Sequence, residues 1–165
     1  MSDFTTWRSL VDGEEIGVIP DSVVTRPETG ETSDQTVPRG VRIKVNTEWP
    51  SRLDCKFADA TPSDSGVTRA RLIRLSDEEV VDTITLDDPS AGDIISFNFD
   101  SLSSGEEFNM VVDAEGDTYL HEFNGDDETF PYESEDGNIE ITFGAAGETG
   151  SVDNSHVFTE VGNLD

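Results

Sequence analysis

From residue 41 onward, apolar and polar residues alternate in short runs. Val41, Ile43 and Val45 share one face of an extended segment, while Arg42, Lys44 and Asn46 share the other. Leu53, Cys55 and Phe57 repeat the pattern. So do Ile95, Phe97 and Phe99, then Phe108, Met110 and Val112, then Ile139, Ile141 and Phe143. A period of two puts alternate side chains on one side of a pleated strand. Val67–Leu75, Val80–Leu86, Thr118–Phe123 and His156–Val161 also have strand character, and clusters of Asp, Gly, Ser and Pro between the runs supply turns. About nine strands at spacings of roughly 8–15 residues predict an all-β fold, a β-sandwich or jelly roll. No segment sustains the 3.6-residue apolar period of an amphipathic helix.

Residues 1–40 behave differently. Phe4, Trp7, Leu10, Val11, Ile16, Val18, Ile19, Val23 and Val24 follow no clean period, and Gly13, Gly17 and Pro20 interrupt any helix. Residues 25–40 are rich in Thr, Ser, Pro, Gly and acid, the composition of a linker. The expected organisation is an extended N-terminal anchoring arm and linker over 1–40, then a β-sandwich domain over 41–165. Trp7, Leu10, Ile16 and Ile19 are the candidate anchors against a partner. An arm exposing that much apolar surface predicts a symmetric homo-oligomer, a trimer or pentamer, since closed rings bury such patches.

Charge changes the picture more than any motif. Ten basic residues face 37 acidic ones, a formal charge of −27 on 165 residues. A small domain ordinarily carries a net charge of about 2–8 in magnitude. Such self-repulsion opposes a compact state at low salt, whereas at ~1 M salt the Debye length is ~3 Å and the repulsion is largely screened. Lys44 and Lys56 are the only lysines. Nine Phe, two Trp and two Tyr argue against an acidic disordered chain. The expectation is a folded, soluble, salt-adapted protein. The charge is also uneven: residues 1–74 hold all ten basic residues with twelve acids, and residues 75–165 hold 25 acids and no Lys or Arg. That asymmetry suggests a first half that meets partners and a second half that meets brine.

Composition narrows the chemistry. A single cysteine, Cys55, allows no intrachain disulfide and no zinc ribbon, and its alternation with Leu53 and Phe57 makes it a core residue. The N-terminus lacks the basic and apolar regions of a signal peptide, and the longest apolar run, Met110 to Val112, predicts no membrane insertion. A field so negative disfavours nucleic acid. His121 and His156 are the only imidazoles, and neither sits beside a convincing nucleophile and orienting group, so no enzyme activity is expected. Asp113, Glu115 and Asp117 place carboxylates at alternate positions, a spacing that suits structural calcium or another hard cation, although the glycine falls at Gly116. No other cofactor is indicated. Arg69, Arg71 and Arg74 on one strand, with Arg42 and Lys44 on another, read either as cross-strand ion pairs or as a docking patch for an acidic partner. Trp49, Tyr119 and Tyr132 are the aromatic candidates for stacking on a glycan.

Two stretches carry a resemblance. TTWRSLVDGEEIGVIPDSVVTRPE, followed by a polar linker and GVRIKVNTEWPS, resembles the leader of structural proteins of haloarchaeal tailed viruses. TRARLIRLSDEEVVDTITLDDPSAGDIISFNFDSLSSGEEFNMVVDAEGDTY resembles the β-sandwich modules of their tail-fibre-like and virion-surface proteins. The turn Ser90–Asp93, the aromatic strand Phe97–Phe99 and the turn Val111–Gly116 carry the second likeness. The resemblance implies a virion-surface component made in the host cytoplasm: a capsid turret, a decoration protein or a tail-fibre subunit. It also implies other virion proteins as partners and a host cell-surface glycan as a contact. The alternative is a stand-alone carbohydrate-binding attachment module of a haloarchaeon. A halophilic enzyme using two carboxylates is the third reading.

Overall fold

The computed structural model describes residues 10–11, 14–15, 18–26, 31–35, 38–58, 67–87, 89–114, 120–124, 130–152 and 155–164. In chain order the strands begin with β1 (Leu10–Val11), β2 (Glu14–Glu15), β3 (Val23–Thr25), β4 (Glu31–Gln35), β5 (Arg39–Val45) and β6 (Trp49–Phe57). The middle of the chain adds β7 (Val67–Arg74), β8 (Val80–Thr85), β9 (Ile94–Leu102), β10 (Glu107–Ala114) and β11 (Leu120–Asn124). The last are β12 (Tyr132–Glu133), β13 (Ile139–Ala146), β14 (Gly150–Val152), β15 (Ser155–His156) and β16 (Phe158–Gly162).

Two antiparallel sheets pack together as a β-sandwich. One has seven strands in the order β12-β13-β5-β10-β7-β8, with β14 beside β13; the other has four, in the order β3-β16-β6-β9. A β1–β2 pair and a three-stranded β15-β11-β4 sheet complete the described strands. No helix among the described residues is long and apolar enough to cross a membrane.

The alternation builds the core directly. Val41, Ile43 and Val45 of β5, Phe108, Met110 and Val112 of β10, and Ile139 and Ile141 of β13 point inward from the larger sheet, all with no solvent exposure. Leu53, Cys55 and Phe57 of β6, Phe97 of β9, and Phe158 and Val161 of β16 meet them from the smaller sheet. Each such side chain stabilises the fold by ~1.5–3 kcal/mol through burial. Ile95 and Phe99 are only partly buried because β9 is an edge strand.

The sheet edges meet along two seams. At one, Val81 and Ile84 of β8 and Ile95 and Phe99 of β9 pack against the core, and the Asp82 carboxylate accepts the Asn98 N–H at 2.8 Å. That contact occupies a backbone donor on an edge strand, where free donors invite pairing with another chain. At the other seam, Asp136 accepts hydrogen bonds from the Ser22 hydroxyl (2.5 Å), the Ser134 hydroxyl (2.7 Å) and the Asn138 N–H (3.1 Å). These donors hold the Asp136 carboxyl below its ordinary pKa despite the opposing effect of its partial burial.

Four expectations need correcting. The sandwich does not begin at residue 41, because β3 pairs with β16 and Val24 is a fully buried core residue. Ile19 packs against that core instead of standing free as an anchor. The expected linker contains β4, paired along its length with β11, and the start of β5. Short strands embedded in polar sequence have too few alternating positions to register as a pattern. Finally, Phe143 does not follow Ile139 and Ile141 inward. A β-bulge between Ile141 and Phe143 shifts the register against β5, and Phe143 is 41 % exposed.

Candidate functional site

The outer face of the seven-stranded sheet holds most of the residues that carry chemistry, in two regions of opposite character. Cross-strand partners lie on the same face of a sheet, so the register places Arg69 beside Asp113, Arg71 beside Val111, Arg42 beside Asn109, and Lys44 between Glu107 and Glu140.

The β7 side is closed. Arg71 is buried and donates through Nε and Nη2 to the two oxygens of Asp113, at 2.8 and 2.9 Å. This fork-to-fork geometry is the strong form of the pair. Arg69 Nε reaches the same carboxylate at 2.8 Å, and Arg71 Nη1 lies 3.3 Å from Glu148. Burial works against the Arg71 charge, but hydrogen bonds and charge from Asp113 and then Glu148 outweigh it and raise its pKa. At the end of β7, Arg74 reaches Glu106 at 2.8 Å, Asp77 at 3.2 Å and Glu79 at 3.4 Å. The turn between β13 and β14 folds over this face. Arg42 donates to the Thr149 carbonyl at 2.7 Å, and Asn109 donates to the Glu148 and Gly150 carbonyls at 3.1 and 2.9 Å. Ile73, Val111 and Ala145 form a small second apolar cluster on this face.

The expected docking patch is therefore engaged within the chain. Arg71 and Arg74 are ion-paired in the fold, which corrects their assignment to a partner surface; Arg69 is half-exposed but shares Asp113. The cation site expected at Asp113, Glu115 and Asp117 loses its first ligand in the same way, since guanidinium groups occupy both Asp113 oxygens. Glu115 and Asp117 lie outside the described residues, among which no metal-binding group of three His, Cys, Asp or Glu occurs.

The β13 side is open. A shallow groove of about 340 Å³ is lined by Arg42, Glu107, Phe130, Pro131, Glu140, Thr142 and Phe143. Phe143 packs at a tilt against Phe130, with ring centroids 5.6 Å apart, and Tyr132 meets Phe130 edge-on at 5.5 Å. The buried Arg26 guanidinium sits 4.8 Å from the Phe130 centroid, a cation–π contact. Phe130 is thus held from several directions, and Phe143 alone of this group belongs to the large exposed apolar residues.

The other candidates scatter. Trp49 has no solvent exposure and donates its indole N–H to the Arg52 carbonyl at 2.7 Å, so it offers no face to a glycan, contrary to expectation. Tyr132 is half-buried and Tyr119 lies outside the described residues. Of the arm anchors, Trp7 and Ile16 lie outside them too, and Leu10 is described only through its backbone in β1. His121 and His156 fall on β11 and β15, where likewise only the backbone is described. Cys55 is fully buried, and burial, reinforced by the Asp54 charge, pushes its thiol pKa well up, which leaves it an unreactive core residue.

No protein-family model matches the chain, and no curated protein matches it either.

Phe143 was missed because plain alternation assigns it to the core face. A bulge adds one residue to a strand, and nothing in Ile139–Ala146 announces it: the run contains no Pro, and Gly144 follows the bulge. Arg42 was legible as an outward-facing residue of its strand, but its contact with Asn109 and the β13–β14 turn was not.

Proposed function

We propose that this chain is a non-catalytic structural surface protein of a haloarchaeal virus particle: a capsid turret, a decoration protein or a tail-fibre subunit. It is anchored through its N-terminal region and presents an acidic β-sandwich to hypersaline water. One structural observation carries the surface role. Arg52, Lys56, Arg69, Arg71 and Arg74 all pair with carboxylates of this same chain. With 37 acids against ten cations, most acids have no basic residue to pair with, and among the described residues exposed acids such as Asp87, Asp93, Asp100, Glu133 and Glu135 are distributed over the turns and edges of both sheets. The placement in a virion rests on the leader and module resemblances described above. Subunits repeating as trimers or pentamers on the particle would bring their N-terminal regions together and splay the acidic surfaces.

Mass spectrometry of purified haloarchaeal virions tests the reading. The chain should be present at a fixed ratio to the major capsid protein, and its absence from washed particles would sink the assignment. Salt adaptation has its own check. Thermal unfolding should shift to markedly lower temperature as salt falls from ~2 M to ~0.1 M, where the Debye length lengthens to ~10 Å and the acids repel. An unchanged midpoint would show that screening does not hold this fold together.

The second reading, an attachment module that binds carbohydrate, draws support from one feature only, the open groove beside Phe143.

A further inference from the structure

We propose that the groove beside Phe143 is a saccharide-binding site, in which the exposed ring stacks on a sugar face while Glu140, Glu107, Thr142 and Arg42 hydrogen-bond its hydroxyl groups.

The starting observation is the bulge. Without it, Phe143 would continue the inward row of Ile139 and Ile141; with it, the ring turns to solvent beside Arg42. Bulges recur where a strand must re-aim a side chain next to a site. An exposed Phe by itself needs no explanation. This one is fixed in orientation by Phe130, which is itself braced by Tyr132 and Arg26.

The polar wall is preorganised as well. Arg42 is held through Nε by the Asn109 side-chain oxygen at 3.0 Å and through Nη2 by the Thr149 carbonyl at 2.7 Å. Asn109 has no solvent exposure and is fixed in turn by the Glu148 and Gly150 carbonyls. Glu140 accepts from the Asn46 amide at 3.1 Å and keeps further lone pairs for a ligand. A rigid donor, positioned acceptors and an oriented ring meet the requirement that a site hold its groups in place before binding. A volume of about 340 Å³ is at the small end of ligand pockets, suited to one or two sugar rings.

Charge selects the occupant. The chain carries −27, yet Arg42 and Lys44 balance Glu107 and Glu140 across this face. A cationic partner would find denser acid elsewhere, and an anionic one would be repelled by the rest of the surface. A neutral polyhydroxyl ligand uses donors and acceptors in such even number. Its binding also survives the ~3 Å screening length of ~1 M salt, because stacking and hydrogen bonds do not depend on long-range attraction. This last step rests on the salt-adapted reading above, and binding assays and virion composition test the two separately.

The test uses the full chain in ~2 M KCl, where charge is screened, with saturation-transfer NMR against methyl glucoside, methyl mannoside, methyl galactoside and N-acetylglucosamine. Methylated lysine serves as the cationic control. At least one sugar should receive saturation. Phe143→Ala should weaken its binding about tenfold, the scale of one lost aromatic contact. Phe143→Trp should retain it and give a fluorescence change on titration, and Glu140→Gln should weaken it without altering the far-UV spectrum. No transfer to any sugar, equal binding by Phe143→Ala, or preferential binding of the lysine probe would each overturn the proposal.

Discussion

The β7 and β13 sides of one sheet face invert what their residue types suggest. On the β7 side Arg69 and Arg71, of a residue type enriched at partner surfaces, are spent on Asp113 and Glu148, and Arg74 at the end of the strand is spent on Glu106, Asp77 and Glu79. On the β13 side an aromatic residue, ordinarily core material, stands in solvent. Residue type alone does not decide which of two outward-facing groups is available. Arg71 is unavailable because the Asp113 carboxylate reaches it diagonally from β10 and a turn folds over it; Phe143 is available because a bulge breaks its register.

The contrast predicts unequal responses to mutation. Asp113→Ala removes the carboxylate from the Arg69 and Arg71 guanidiniums and should cost about 3–5 kcal/mol, the penalty for breaking a buried pair by removing one partner. Urea unfolding at constant high salt measures it, and a loss below ~1 kcal/mol would mean that the β7 arginines are free for other work. The pair Arg71→Met with Asp113→Leu should recover most of that loss, since apolar groups of similar volume leave no buried charge unpaired, and Arg69 and Glu148 stay in contact with solvent.

On the open side, Phe143→Ala should cost only about 1 kcal/mol, because it forfeits one tilted contact with Phe130 and no burial in the main core. Were the loss as large as that of Asp113→Ala, Phe143 would be part of the fold's foundation and the groove merely its by-product.

The smallest effect is electrostatic. The Asp77 carboxyl is held below its ordinary pKa by the Glu79 backbone N–H first and by Arg74 after it. A depressed carboxylate contributes stability that is fully present above its unfolded pKa and is lost as pH falls through the folded value. Asp77 is exposed, so solvent screens most of this contribution. The Asp77→Asn variant should show a slightly flatter stability profile below about pH 5, and an identical profile would remove Asp77 from the closed cluster.

Much of the fold was legible because alternation is a local signal. The inward rows of β5, β6 and β10 are as read, and so is the start of the β13 row. What failed depends on information absent from any single run. β3 and β12 are too short to alternate, and their place in the sandwich depends on partners distant in sequence. The two halves of unequal charge are likewise not two halves in space: Arg69 and Arg71 lie against Asp113, and Lys56 lies 3.2 Å from Glu160. A cation early in the chain finds its acid late in it, so an asymmetry along the sequence is partly cancelled within each sheet. The candidate site was less legible still, because it depends on one inserted residue.

That interleaving also dictates when the molecule can take shape. β5 has β10 and β13 as its neighbours, and β6 has β9 and β16. On the ribosome, β3 to β7 therefore emerge before any strand they pair with has been made, and Lys56, Arg69, Arg71 and Arg74 emerge before their carboxylates. Antiparallel partners so far apart in sequence must pay the entropy of closing long loops before any contact rewards them. The smaller sheet cannot close until Phe158–Gly162 has left the exit tunnel. Assembly of the sandwich is then a late and concerted event, completed after synthesis of its last strand, and the naked apolar rows of β5 and β6 must stay apart from neighbouring chains until then.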